Sequence, residues 1–76
     1  MKPDATKYNP APAYLRRLVD QAGISQRKSA ELIGMTWPGF RNYLRDESDK
    51  LYRPAPYTVQ FALEALANEA GQSGDK

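Results

Sequence analysis

Asp46, Glu47 and Asp49 lie close together in the run DESDK and are the chain's densest group of carboxylates. They are near enough in principle to share a divalent cation. A calcium loop needs a glycine at its sharp turn and a distal bidentate glutamate, and this run has neither, so it reads as a charged stop to a helix. The chain has no cysteine and no histidine. That removes zinc sites, Cys/His nucleophile pairs and Ser-His-Asp triads, and no catalysis, metal or cofactor is expected. What remains is a set of hydrogen-bond donors: Gln26, Arg27, Lys28 and Thr36, followed by Trp37, Arg41, Asn42 and Arg45. Guanidinium, ammonium and amide groups suit phosphate oxygens and base edges, so the chemistry offered is recognition of a polyanion.

The charge distribution supports this. The net charge of +2 divides into +1 over residues 1–13, +4 over 14–45 and −3 over the remainder. The basic excess therefore coincides with the donors, and only that middle part attracts a polyanion.

A chain of 76 residues allows one small domain with a thin core, often completed by a partner subunit. Residues 1–13, with prolines at 3, 10 and 12 and few large apolar side chains, read as a flexible arm. A helix begins near Pro12, with Tyr14, Leu15, Leu18, Val19 and Ala22 as its inner stripe and Gly23 as its left-handed stop. Arg16, Arg17 and Asp20 fall on its wet face. Ser25 caps a second helix whose inner side is Ala30 and Ile33, with Leu32 beside them, and Gly34 ends it. A third helix turns Phe40, Tyr43 and Leu44 inward and Arg41, Asn42 and Arg45 outward. LYRPAP is a rigid connector. Pro56 opens a last helix that is expected to run to about Asn68 or Ala70 and stop at Gly71, leaving residues 71–76 as a disordered tail. No strand, signal segment or membrane span is expected, and the natural compartment is the cytoplasm.

The stretch GMTWPGF, residues 34–40, places poor helix formers between two helices. In SQRKSAELIGMTWPGFRNYL, residues 25–44, Ala30 precedes Gly34 by four, and Phe40 and Tyr43 follow the glycine by six and nine. This is the spacing of a helix-turn-helix of the phage-repressor, lambda-repressor-like kind. A small residue at 30 lets the helices cross closely, Gly34 permits a positive φ in the turn, and the pair at 40 and 43 docks the second helix on the first. That second helix is then free to enter a major groove. With Thr36 or Trp37 as its cap, Pro38 occupies a first turn whose amide hydrogens have no helical partner anyway. Base reading then falls on Arg41, Asn42 and Arg45, with the indole of Trp37 against a thymine methyl or a sugar. Gln26, Arg27, Lys28 and Thr36 take phosphates. Two plainer readings stand beside these: Trp37 as a core residue, and Arg41 and Arg45 as a solvated face.

On a wheel of about 100° per residue, Val59, Ala62, Leu63, Leu66 and Ala70 form the face of the last helix that packs on the domain. Tyr57, Phe61 and Ala65 form a second apolar strip on nearly the opposite side. A helix apolar on two faces needs two surfaces to bury against, and the second is best supplied by the same helix of another subunit. The alternative cover is the connector that carries Tyr52. The expected whole is an all-α domain of four to five helices, residues 14–70, acting as a homodimer on double-stranded DNA. The rival classes are an antitoxin, which would need a toxin-binding tail, and a protein-interaction module that has lost DNA binding.

The segments AYLRRLVDQAGISQRKSAELIGM and YRPAPYTVQFALEALANE resemble the small helix-turn-helix repressors encoded beside phage anti-CRISPR genes, the anti-CRISPR-associated (Aca) proteins. The likeness spans about residues 14–70, and YRPAPYTVQFALE is its most specific part. It implies a homodimer that binds an inverted repeat in the promoter of its own operon and represses it. Anti-CRISPR transcription in the bacterial host would thereby be shut off after early infection. Arg27 and Lys28 match two basic positions of the family's DNA-binding surface. Pro38 departs from the pattern, standing where relatives carry a basic residue in the recognition helix.

Overall fold

Capping chemistry sets most of the helix boundaries in the computed structural model, which describes residues 2–74. Pro12 opens α1 (Pro12–Ala22) at the position where its missing amide hydrogen costs nothing. Gly23, at φ 73°, closes it and donates its amide to the Asp20 carbonyl. Ser25 caps α2 (Gln26–Leu32), its Oγ accepting from the Lys28 amide at 3.0 Å. Beyond α2 the amide of Gly34 donates to the Glu31 carbonyl at 3.2 Å and that of Met35 to the Ala30 carbonyl at 2.9 Å. These paired bonds satisfy two end carbonyls and require the left-handed residue that Gly34, at φ 78°, supplies. Thr36 precedes α3 (Trp37–Leu44), and Trp37 and Pro38 are its first two residues. The cap is therefore Thr36, although no side-chain bond completes it. The Pro56 carbonyl accepts the first bonds of α4 (Tyr57–Gly74).

The described residues contain these four helices, one 3₁₀ turn at Ala5–Lys7 and no strand. α1 lies along α4 and also touches α3, while α2 and α3 pair with each other. The core gathers Leu15, Leu18 and Val19 from α1, Ala30 from α2, Phe40 and Leu44 from α3, and Val59 and Leu63 from α4. Ala55, between the two connector prolines, is also fully buried. No helix of the described residues is long and apolar enough to cross a membrane.

Four expectations are corrected. Leu32 is not an inner residue; it is 52% exposed because it lies two positions, about 200°, around the helix from Ala30. α4 does not stop at Gly71 but continues to Gly74. A glycine ends a helix only where the chain needs a left-handed turn, and in a helix interior it costs only about 1 kcal/mol against alanine. Residues 75 and 76 of the expected tail lie outside the described residues. Arg16 is half-buried rather than on the wet face, and its guanidinium donates to the Leu44 carbonyl at the negative end of α3.

The fourth correction concerns the N-terminal arm, which is fastened to α4. The buried Gln60 accepts from the Asn9 amide at 2.7 Å and donates to the Lys7 carbonyl at 3.0 Å and to Glu64 at 3.1 Å. The Tyr8 hydroxyl donates to the Ala55 carbonyl, and the Asp4 amide donates to the Tyr57 hydroxyl at 2.6 Å. Glu64 also accepts from the Tyr14 hydroxyl. Burial first, and the Glu64 carboxylate second, push the Tyr14 phenol up to about 12. The neutral phenol is favoured in the fold, so this contribution is complete below pH 10 and fades as pH rises toward 12. An arm poor in apolar side chains is thus held mainly through its backbone polar groups, which find partners on α4.

Candidate nucleic-acid interface

The turn at Gly34 brings the first turn of α2 beside the first turn of α3. Gln26, Arg27 and Lys28 are exposed at the start of α2, and Thr36 is exposed at the start of α3. Trp37 is half-buried and packed against the core. Over its ring, at 5.2 Å from the centroid, stands the Arg27 guanidinium. Part of the indole therefore rests on the core, and the Arg27 guanidinium lies over its ring. Lys28 pairs with Glu31 at 3.0 Å, an exposed contact between near neighbours of the kind that contributes little.

Toward the other end of α3 the basic residues differ in freedom. Arg41 is exposed. Arg45 is only 19% exposed along its side chain and is engaged twice, its Nε donating to the Asn42 amide oxygen at 2.9 Å and its Nη1 to the Asp49 carboxylate at 3.2 Å. Asn42 is itself half-buried, and its carbonyl accepts from the Arg53 amide. The residues expected to read bases thus divide into an exposed Arg41 and a pair, Asn42 and Arg45, tied to the loop that follows α3.

That loop organises its own carboxylates. Asp46 accepts from the amide and hydroxyl of Ser48, and the amide bond comes first among the causes that hold its carboxyl below the usual range. Asp49 is held low first by the Leu51 amide, with Arg45 and Arg41 assisting. These aspartates close turns on neighbouring backbone. Both contributions are present above pH 3.8 and are lost as pH falls below it. Arg17 stands 6.0 Å over the Tyr14 ring on α1, apart from the α2–α3 donors.

On α4, Tyr57, Phe61 and Ala65 are each half-exposed. The Tyr57 and Phe61 rings meet at 6.2 Å with a 36° tilt. They form an apolar ridge whose N-terminal end is shared with the arm through the Tyr57 hydroxyl. Gln60 and Glu64 were not among the residues expected to matter. The signal was present: Gln60 lies about 60° from Leu63 on the helical wheel, inside the stripe that faces the domain.

No protein-family model matches the chain, and no curated protein matches it significantly.

Proposed function

We propose that this chain is a non-catalytic, sequence-specific DNA-binding repressor of the lambda-repressor-like helix-turn-helix type. It acts as a homodimer on an inverted repeat in the promoter of its own operon, as its resemblance to the anti-CRISPR-associated repressors implies. The observation that carries the reading is the α2–α3 pair. A buried Ala30 at the crossing, a positive-φ Gly34 and a fully buried Phe40 leave the first turns of both helices facing outward with Gln26, Arg27, Lys28 and Thr36. Phosphates gripped there place α3 in a major groove, where Arg41 is the foremost base reader. Repression is steric, since the bound dimer denies the promoter to RNA polymerase. Pairing through Tyr57, Phe61 and Ala65 sets the two recognition helices about one DNA turn, ~34 Å, apart.

The test is a gel-shift titration against the DNA immediately upstream of the chain's own coding sequence, with scrambled duplex of equal length as competitor. A single shift that survives the competitor supports the repressor. Equal binding of both duplexes, or of neither, removes the regulatory role. In the same assay Arg41→Ala is expected to lower discrimination between operator and scrambled DNA by roughly tenfold or more, corresponding to about 1–3 kcal/mol for a base contact. Lys28→Ala is expected to weaken binding to both duplexes alike and to flatten the salt dependence. If both variants lose selectivity equally, the assignment of reading and gripping surfaces is wrong.

Asp49 provides a further check. On this reading its carboxylate competes with DNA for Arg45. Asp49→Asn keeps an oxygen for the Leu51 amide and removes the charge, so affinity at low salt should rise several-fold, on the scale of one more free cation. Unchanged affinity would assign Arg45 to the loop alone.

A further inference from the structure

Of the cations at this surface, Arg27 is held in a way that leaves its hydrogen-bonding edge unspent. A carboxylate partner occupies in-plane N–H donors, as Asp49 does with Arg45. An aromatic face does not: a cation over a ring is attracted by the ring's quadrupole and keeps its N–H donors for a bidentate acceptor. The Arg27 guanidinium lies 5.2 Å from the Trp37 centroid, and the indole is itself fixed by packing on the core. Arg27 is otherwise exposed, and a long exposed side chain has many rotamers unless something selects one. The two residues belong to different helices, joined through the Gly34 turn, so the contact couples the start of α2 to the start of α3.

We infer that Trp37 is a positioning residue, whose indole holds the Arg27 guanidinium in register for one backbone phosphate and thereby sets how α3 sits in the groove. The inference rests on the DNA-binding reading above and deepens it. It replaces a base-reading role for Trp37, whose ring carries the Arg27 guanidinium instead. A flat aromatic ring is the feature required, so phenylalanine at 37 preserves the function in part and leucine does not.

Trp37 is the chain's one tryptophan, so its emission reports on the contact directly. In the DNA-free protein, Arg27→Ala is expected to alter the emission of Trp37 while leaving the far-ultraviolet dichroism unchanged. Binding to the upstream duplex is then measured over a range of salt for the wild type, Trp37→Phe, Trp37→Leu, Arg27→Ala and the Trp37→Leu/Arg27→Ala pair. Each phosphate contact contributes about 0.9 to the slope of log K against log salt. Arg27→Ala and Trp37→Leu should each lower the slope by about that amount, the pair by no more than either alone, and Trp37→Phe by clearly less. Emission unaffected by Arg27→Ala overturns the proposal without any DNA and without a variant in the core. So does a folded Trp37→Leu with the wild-type slope, or additive losses in the pair; each removes the positioning role while leaving the repressor reading in place. A wild-type protein that binds no duplex overturns both.

Discussion

Phe40→Ala is expected to destabilise the domain by about 3–5 kcal/mol, the usual cost of deleting a buried phenylalanine. Phe40 is fully buried and is the largest such side chain in the protein. It joins α3 to a core whose members besides Leu44 come from α1, α2, α4 and the connector, so no single neighbouring helix can shift to close the void. A core of this size rarely supplies more than about 3–5 kcal/mol in total. The variant should therefore be largely unfolded at room temperature, or lose most of its urea midpoint, as followed by far-ultraviolet dichroism. Leu32→Ala is the control: Leu32 is also a large apolar residue, though smaller than phenylalanine, and is half exposed, and its replacement should stay within about 0.5 kcal/mol. A loss at Leu32 as large as that at Phe40 would mean that Leu32 is packed inside rather than on the outer face of α2. A small loss at Phe40 would mean that α3 is not anchored through the core, and the geometry proposed for DNA would lose its support.

The same pair of helices shows what was legible in the sequence and why. Helix boundaries follow from residues whose chemistry admits few alternatives: Pro12 opens α1, Gly23 and Gly34 supply left-handed stops, and Ser25 caps α2. Inner residues were legible at 15, 18, 19, 30, 40 and 44 because each helix exposes one face and buries another. What escaped depends on contacts made across turns, outside the periodicity of any one helix. Asp49 reaches Arg45 only because the loop after α3 reverses, and that reversal is built from local carboxylate–amide bonds. Arg27 and Trp37 are ten positions apart across a turn, which no helical periodicity relates. The arm escaped for another reason. Its anchoring groups are mainly backbone amides and carbonyls, which every residue carries, and hydropathy does not register them.

The arm's attachment leads to the second large effect, at Gln60. Gln60→Leu preserves roughly the volume of the side chain but leaves the Asn9 amide and the Lys7 carbonyl without their partners. Each hydrogen bond lost removes about 0.5–1.5 kcal/mol net, and because Lys7 and Asn9 lie in an exposed segment their groups return to water when it lifts off. The expected result is therefore local: residues 4–9 become protease-sensitive, the Asn9 amide loses exchange protection, and global stability falls by about 1–3 kcal/mol. Gln60→Glu is expected to be worse at neutral pH. It removes the donor to Lys7 and puts a second carboxylate where the amide now lies 3.1 Å from Glu64. Like charges in a buried site raise the folded-state pKa. The penalty is therefore complete above that raised value and closes as pH falls toward the ordinary glutamate value of about 4.3. Gln60→Leu has no such titrating group, so the two variants should diverge above that value and converge below it. Parallel pH profiles would mean that Gln60 and Glu64 do not share a dry site. An arm still protected in Gln60→Leu would mean that Tyr8 and Tyr57, through their hydroxyls, suffice to hold it. A released arm would also uncover the Tyr57 end of the apolar ridge, so comparing the association state of Gln60→Leu and wild type by sedimentation would show whether the arm helps to shape the surface through which two chains are proposed to pair.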